Sequence, residues 1–131
     1  MELDDEAVEF AGRLFDIARD GGTEHLAAYI DAGVPVNLTD AKGDTFLILA
    51  AYHRQPETVA ALLARGADVG RTNDRGQTAL AAATFAQSAE SVTALLTAGA
   101  DPEQGRPSAL ATAEFFELPA MIELLRGRPG G

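Results

Sequence analysis

A chain of 131 residues, 47% apolar and 23% charged, has the balance of one ordinary globular domain. It can bury roughly two-thirds of its unfolded surface without covalent staples. It has no cysteine, which excludes disulfides, thiolate metal sites and cysteine nucleophiles; its 20 acidic residues against 10 basic ones give a formal charge of −10, and a field of that sign disfavours nucleic acid and anionic membrane surfaces.

The N-terminal Met1-Glu2-Leu3-Asp4-Asp5-Glu6 is acidic and lacks the basic and apolar regions of a secretory signal. No apolar run reaches the roughly 18 residues that cross a bilayer. A cytoplasmic location is therefore expected. All basic residues but Lys42 are arginine in an alanine-rich chain, a bias associated with GC-rich bacterial genomes.

Glu2, Asp4, Asp5, Glu6 and Glu9 surround the first predicted helix, as suits the polar outer side of a terminal unit. Gly21-Gly22 reads as an inter-helix loop, and a second helix then runs to Gly33. Thr45 stands where an N-cap belongs, and Leu47, Ala50 and Ala51 follow on one helical face. The apolar run from Phe46 to Tyr52 is the core of that helix. Gln55-Pro56 breaks the chain, with Pro56 suited to a first helical position and Glu57 facing the positive end of the helix dipole. Val59, Leu62 and Leu63 form the next apolar face, and Gly66 ends that helix in the left-handed conformation. Asp68 to Arg75 is a polar, turn-rich link. The pattern then repeats from Thr78 and again from Ser108, and Gly127 to Gly131 reads as a frayed tail.

The repetition is metrical. Gly33, Gly66 and Gly99 are spaced by 33 residues, as are Glu24, Glu57 and Glu90, and Leu26, Val59 and Val92. Gly43, Thr45 and Leu47 recur 33 residues later as Gly76, Thr78 and Leu80. Ser108-Ala109-Leu110 matches Thr78-Ala79-Leu80 at a step of 30, so the third link has lost three residues. Such self-similarity is the signature of a repeat architecture.

The 33-residue unit of two short helices, with Leu62-Leu63-Ala64-Arg65-Gly66-Ala67-Asp68-Val69 and Leu95-Leu96-Thr97-Ala98-Gly99-Ala100-Asp101, resembles the ankyrin repeat over about residues 5–127. The family's Thr-Pro-Leu-His is reduced to Thr45-Phe46-Leu47-Ile48, Thr78-Ala79-Leu80-Ala81 and Ser108-Ala109-Leu110-Ala111. Its inter-helix glycine is kept as Gly21 but becomes Arg54 and Gln87, which is expected to loosen those loops without altering the architecture. The resemblance implies an all-α solenoid of about four units, near 5–42, 43–75, 76–104 and 105–127, with a flexible tail over 128–131. Leu63 and Leu96 are expected in its core.

No catalytic constellation is present. Neither His25 nor His53 has a second histidine at metal-ligand spacing, and no serine elbow or phosphate loop occurs. No cofactor, metal site or enzymatic activity is expected. The resemblance implies instead a protein-binding module that uses its concave inner-helix face and the tips of its inter-repeat turns. Late in the inner helices one slot holds Arg19, Tyr52, Phe85 and Phe115, and the next holds Asp20, His53, Ala86 and Phe116. These aromatics form a binding stripe, or else fold over the inter-helix loops and seal the last unit. Lys42, Arg71 and Arg75 at the turn tips are basic points able to pair with a partner's carboxylates, or simply solvated charges. The partner is expected to be a protein, and the chain a monomer rather than a homo-oligomer. An alternative is an acidic inhibitor or immunity-type protein that neutralises a basic enzyme through the negative field.

Overall fold

The computed structural model describes residues 5–127, so Glu2, Asp4 and the tail expected over 128–131 lie outside the described residues. Eight helices are described: α1 (Asp5–Asp20), α2 (Thr23–Asp31), α3 (Phe46–Tyr52), α4 (Pro56–Ala64), α5 (Ala79–Phe85), α6 (Ala89–Thr97), α7 (Ala109–Phe115) and α8 (Pro119–Arg126). Each odd-numbered helix packs on the even-numbered helix after it. Helices α1, α3, α5 and α7 form an inner layer of successive neighbours, and α2, α4, α6 and α8 form an outer layer in the same way. The result is an all-α solenoid.

Local chemistry starts and stops these helices. The hydroxyls of Thr45, Thr78 and Ser108 accept hydrogen bonds from the amides of Ile48, Ala81 and Ala111, each at 3.1 Å, capping α3, α5 and α7. Pro56 and Pro119 open α4 and α8, where a missing amide proton costs nothing. The outer helices α2, α4 and α6 close through glycines at positive φ, and the amides of Ala67 and Ala100 return to the carbonyls of Leu62 and Leu95 at 3.1 and 3.0 Å.

Among the inner helices α1 closes with Gly21 at positive φ, and α3, α5 and α7 close in the same way without glycine. Arg54, Gln87 and Glu117 adopt φ of 57°, 59° and 53°. The amides after them return to the carbonyls of Ala50, Ala83 and Ala113 at 2.9–3.0 Å. The substitutions thus leave the loop geometry unchanged and store a small backbone strain instead. At Arg54 the side chain adds a bond that glycine cannot make: its guanidinium donates to the carbonyls of Ala86 and Gln87 in the next inter-helix loop. The loosening expected there is countered by a tie between successive loops.

Burial follows position in the stack. Phe46 to Ala51 in α3 and Ala79 to Thr84 in α5 are buried without interruption, because each helix has an inner neighbour on both sides and an outer helix behind. The end helices have one free side. In α1 only Leu14, Phe15 and Ala18 are buried, and in α7 only Ala109, Thr112 and Ala113. Leu62 and Leu95 are deep in the outer layer, at 1% and 0% exposure, as are Leu26 and Leu125 at 1% and 2%. Leu96 is buried less deeply, and Leu63 is only half-buried, which corrects the expectation that Leu63 is a core residue. Residues 62 and 95 point between the layers, whereas 63 and 96 lie one step round the helix. Glu114 stands where Ala51 and Thr84 are buried, is exposed on the free side of α7, and pairs with Arg126 at 2.7 Å.

The links between units are hydrogen-bonded turns. Asp40 accepts from the amides of Lys42 and Asp44 at 2.9 and 3.0 Å through one carboxylate oxygen. Asn73, 33 residues on, accepts from the amides of Arg75 and Gln77 at 3.0 Å each. The Asn73 side-chain amide in turn donates to the buried Asp44 carboxylate at 2.8 Å. Backbone bonds from the Asp74 amide to the Lys42 carbonyl and from the Arg106 amide to the Gly76 carbonyl, at 3.0 and 2.9 Å, join the turns into a continuous ladder. No buried side-chain nitrogen or oxygen among the described residues lacks a partner.

Candidate partner-binding groove

A groove of about 380 Å³ lies between the turn tips and the inner helices at the α3 level. Its floor is Ile48 and Leu49 on α3, and its ends are Tyr52 and His53. Its wall is the first turn, with Asp40 and Lys42, continued by Arg75 and Gln77 of the second. Arg19, from the end of α1, closes it. Five residues expected at a partner site, Arg19, Lys42, Tyr52, His53 and Arg75, therefore line one space although 56 positions separate the first from the last.

Their electrostatic states differ. Arg19 is committed, with its guanidinium 2.7 Å from Asp16 and 3.8 Å from Asp40. Lys42 and Arg75 are exposed and have no carboxylate within ion-pair distance among the described residues. Arg75 donates to the neutral Gln77 side chain at 3.0 Å. The two carboxylates of the groove, Asp40 and Asp44, are held by turn amides and by Asn73. Arg71 is not part of the groove; it sits in the link and lies 3.6 Å from Asp68.

A row of rings leads away from the groove. Tyr52 stacks on Phe85 with centroids 5.8 Å apart and planes 11° from parallel. Phe85 meets Phe116 edge-on at 5.4 Å, and Phe116 meets Phe115 edge-on at 4.9 Å. His53 lies edge-on to Tyr52 at 5.2 Å. The slot that holds Tyr52 and Phe85 passes to Phe115, yet the ring that continues the row is Phe116. Phe115 and Phe116 instead flank a second, almost wholly apolar hollow of about 460 Å³ with Pro107 and Ala111. The rings touch one another but stay open to solvent, at 41% for Tyr52, 43% for Phe85, 50% for Phe116 and 79% for Phe115.

Two groove-shaping residues escaped the reading of the sequence, Asp40 and Asn73. Their signal is the 33-residue step itself, which they obey as an Asp/Asn pair able to bond their own turn. His25 is exposed on α2, away from the groove. The described residues hold no group of three or more His, Asp or Glu suited to a metal ion, and no helix among them is long and apolar enough to cross a membrane. The resolved pKa shifts fall outside the groove, at Asp31 and Arg65.

A family model for ankyrin repeats in three copies matches residues 14–105. An ankyrin repeat protein of Pseudomonas aeruginosa is 47% identical over 58 residues, which cover 44% of this chain and 34% of that protein. This chain therefore spans about a third of that relative. The crystal structure of the human ASB11 ankyrin repeat domain is similar, with a TM-score of 0.79 and 28% identity over 88% of this chain and 53% of that one. The helix pairs, the 33-residue period and a family match over most of the sequence agree: the chain belongs to the ankyrin repeat family.

Proposed function

We propose that this chain is a non-catalytic module that binds a protein partner through the groove at the α3 level and the ring row beside it. Ankyrin repeats are generally protein–protein interaction modules, which supports the class of function. The observation that carries the site is the ring row: four contacting aromatics remain 41–79% exposed across three successive inner helices. The core closes without them, and aromatic residues dominate the energy of protein interfaces. The unpaired Lys42 and Arg75 add charge at one end of the row. The module acts as a monomer in the cytoplasm.

Affinity capture from the source organism tests this reading, with wild type beside a Tyr52→Ala/Phe85→Ala/Phe116→Ala variant of unchanged helical content. One stoichiometric partner held by wild type and lost by the variant is the expected result. A partner held equally by both removes the ring row from the site. The same capture at about 0.05 M and about 0.5 M salt separates the acidic-inhibitor reading, because attraction driven by the −10 charge collapses over that range and ring-driven binding does not.

A further inference from the structure

We propose that the groove takes a peptide segment carrying a carboxylate beside an apolar or aromatic side chain. The carboxylate sits between Lys42 and Arg75, and the apolar side chain lies on the exposed rings of Tyr52 and Phe85. This deepens the interaction-module reading and rests on it.

Charge is the first argument. Acidic residues outnumber basic ones two to one, yet among the described residues Arg13, Lys42, Arg54, Arg75 and Arg106 have no carboxylate within ion-pair distance. Arg65, Arg71 and Arg126 each have one, with Asp31, Asp68 and Glu114. Arg19 has two. Of the five without one, Arg54 is held by backbone carbonyls and Arg13 lies over the Phe10 ring, and Lys42 and Arg75 are the two that line the groove, a space that also contains Asp40 and Asp44. Those carboxylates are consumed by the turns: Asp44 is 7% exposed and bonded to Asn73, and one oxygen of Asp40 accepts from two backbone amides. The groove thus presents the Lys42 and Arg75 cations to solvent while its carboxylates are taken up by turn amides, Asn73 and Arg19, the arrangement that favours an incoming carboxylate.

Shape and field narrow the ligand. The groove continues into the Tyr52–Phe85 stack, so a carboxylate bound at Lys42 and Arg75 brings its neighbours in the peptide over exposed rings. A phosphate polyanion is disfavoured, because two local cations do not offset a molecular charge of −10. A single side-chain carboxylate meets the two cations without bringing a run of negative charge.

Selection of a random dodecapeptide library displayed on phage tests the inference directly. The expected enrichment is Asp or Glu one or two residues from Phe, Tyr, Trp, Leu or Ile. Synthetic peptides of the enriched sequence bind Lys42→Gln/Arg75→Gln at least about tenfold more weakly than wild type. Binding to Arg71→Gln stays within about twofold, since Arg71 lies outside the groove. Lys42 and Arg75 are exposed, so an unchanged melting profile shows that these variants remain folded. Enrichment of basic or purely apolar peptides overturns the inference, and so does failure to enrich any. Enriched peptides that ignore the Lys42→Gln/Arg75→Gln change overturn the groove assignment while leaving the interaction-module reading in place. Self-association that Tyr52→Ala abolishes, seen by analytical ultracentrifugation, also overturns it by giving the face to a second copy.

Discussion

Arg54, Gln87 and Glu117 hold positive φ at the loop position that Gly21 fills in the first unit, so each is a residue-scale test of stored strain. Gln87→Gly and Glu117→Gly relieve a left-handed side-chain clash and are expected to stabilise the fold by about 0.5–1 kcal/mol each, read from the urea midpoint. Arg54→Gly gains the same relief but loses the guanidinium bonds to Ala86 and Gln87, so its net gain is smaller. A larger gain for Arg54→Gly than for Gln87→Gly contradicts the inter-loop tie. The deep leucines set a second comparison. Leu62→Ala is expected to cost about 2–5 kcal/mol, and Leu63→Ala clearly less, because Leu62 is 1% exposed and Leu63 only half-buried. Equal shifts in denaturation midpoint place the interlayer seam one residue later than the structure does.

At the scale of elements, α5 is the test of close packing. Its sequence Ala79-Leu80-Ala81-Ala82-Ala83-Thr84 is buried throughout, with α3 and α7 on its flanks and α6 behind. Ala83→Leu inserts a side chain where the exposure is 0%, and is expected to destabilise by about 1–3 kcal/mol. At Ala111 in α7, the exposed counterpart of buried Ala81, the same enlargement is expected to be near neutral, and equal costs for Ala81→Leu and Ala111→Leu refute the one-sided burial of the last inner helix. The outer layer carries its own tie: Arg65, at the end of α4, holds Asp31, at the end of α2, through bonds of 2.9 and 3.1 Å. Those bonds lower the Asp31 pKa, slight burial works against them, and the Arg65 charge lowers it further. A depressed folded pKa contributes stability above the unfolded value and loses it as pH falls through the folded one. The Asp31 carboxyl followed by NMR is therefore expected to titrate at lower pH in wild type than in Arg65→Gln, and coincident titrations remove the tie.

The helices were legible in the sequence because their signals are local. Thr45, Thr78, Pro56 and Gly66 are punctuation that acts on the adjacent backbone, and the period repeats it. The Phe46 to Tyr52 run coincides with α3 for the same reason. What escaped was non-local. Whether 62 or 63 faces the other layer depends on the rotation of a helix against its neighbour. That Phe116 rather than Phe115 meets Phe85 depends on how α7 sits after the shortened link. The groove gathers Arg19, Lys42, Tyr52 and Arg75 from α1, α3 and two turns, so no single window of sequence contains it. The period nevertheless carried most of the candidate residues, since it aligns the ends of successive inner helices and the tips of successive turns.

At the scale of the whole molecule, stability is a sum of units and nearest-neighbour interfaces, and the ends have fewer of the latter. Helices α3 and α5 each touch two inner neighbours and an outer partner, whereas α1 and α7 lack one inner neighbour. Burial repeats that inequality, with six consecutive buried residues in α3 and in α5 but three scattered ones in α7. Opening should therefore begin at the C-terminal pair, where Leu110 is half-buried although its counterparts Leu47 and Leu80 are at 1% and 0%. Native-state hydrogen exchange is expected to find the slowest amides in α3 and α5 and the fastest helical amides in α7 and α8. This gradient bears on binding, because Phe115 and Phe116 belong to the element that opens first while Tyr52 and Lys42 flank the most protected helix. A partner seated along the whole ring row would then slow exchange most in α7, and one seated only in the groove would leave α7 as it was. Uniform exchange across all helices in the free protein contradicts the unequal interfaces and implies that the stack unfolds as a single unit.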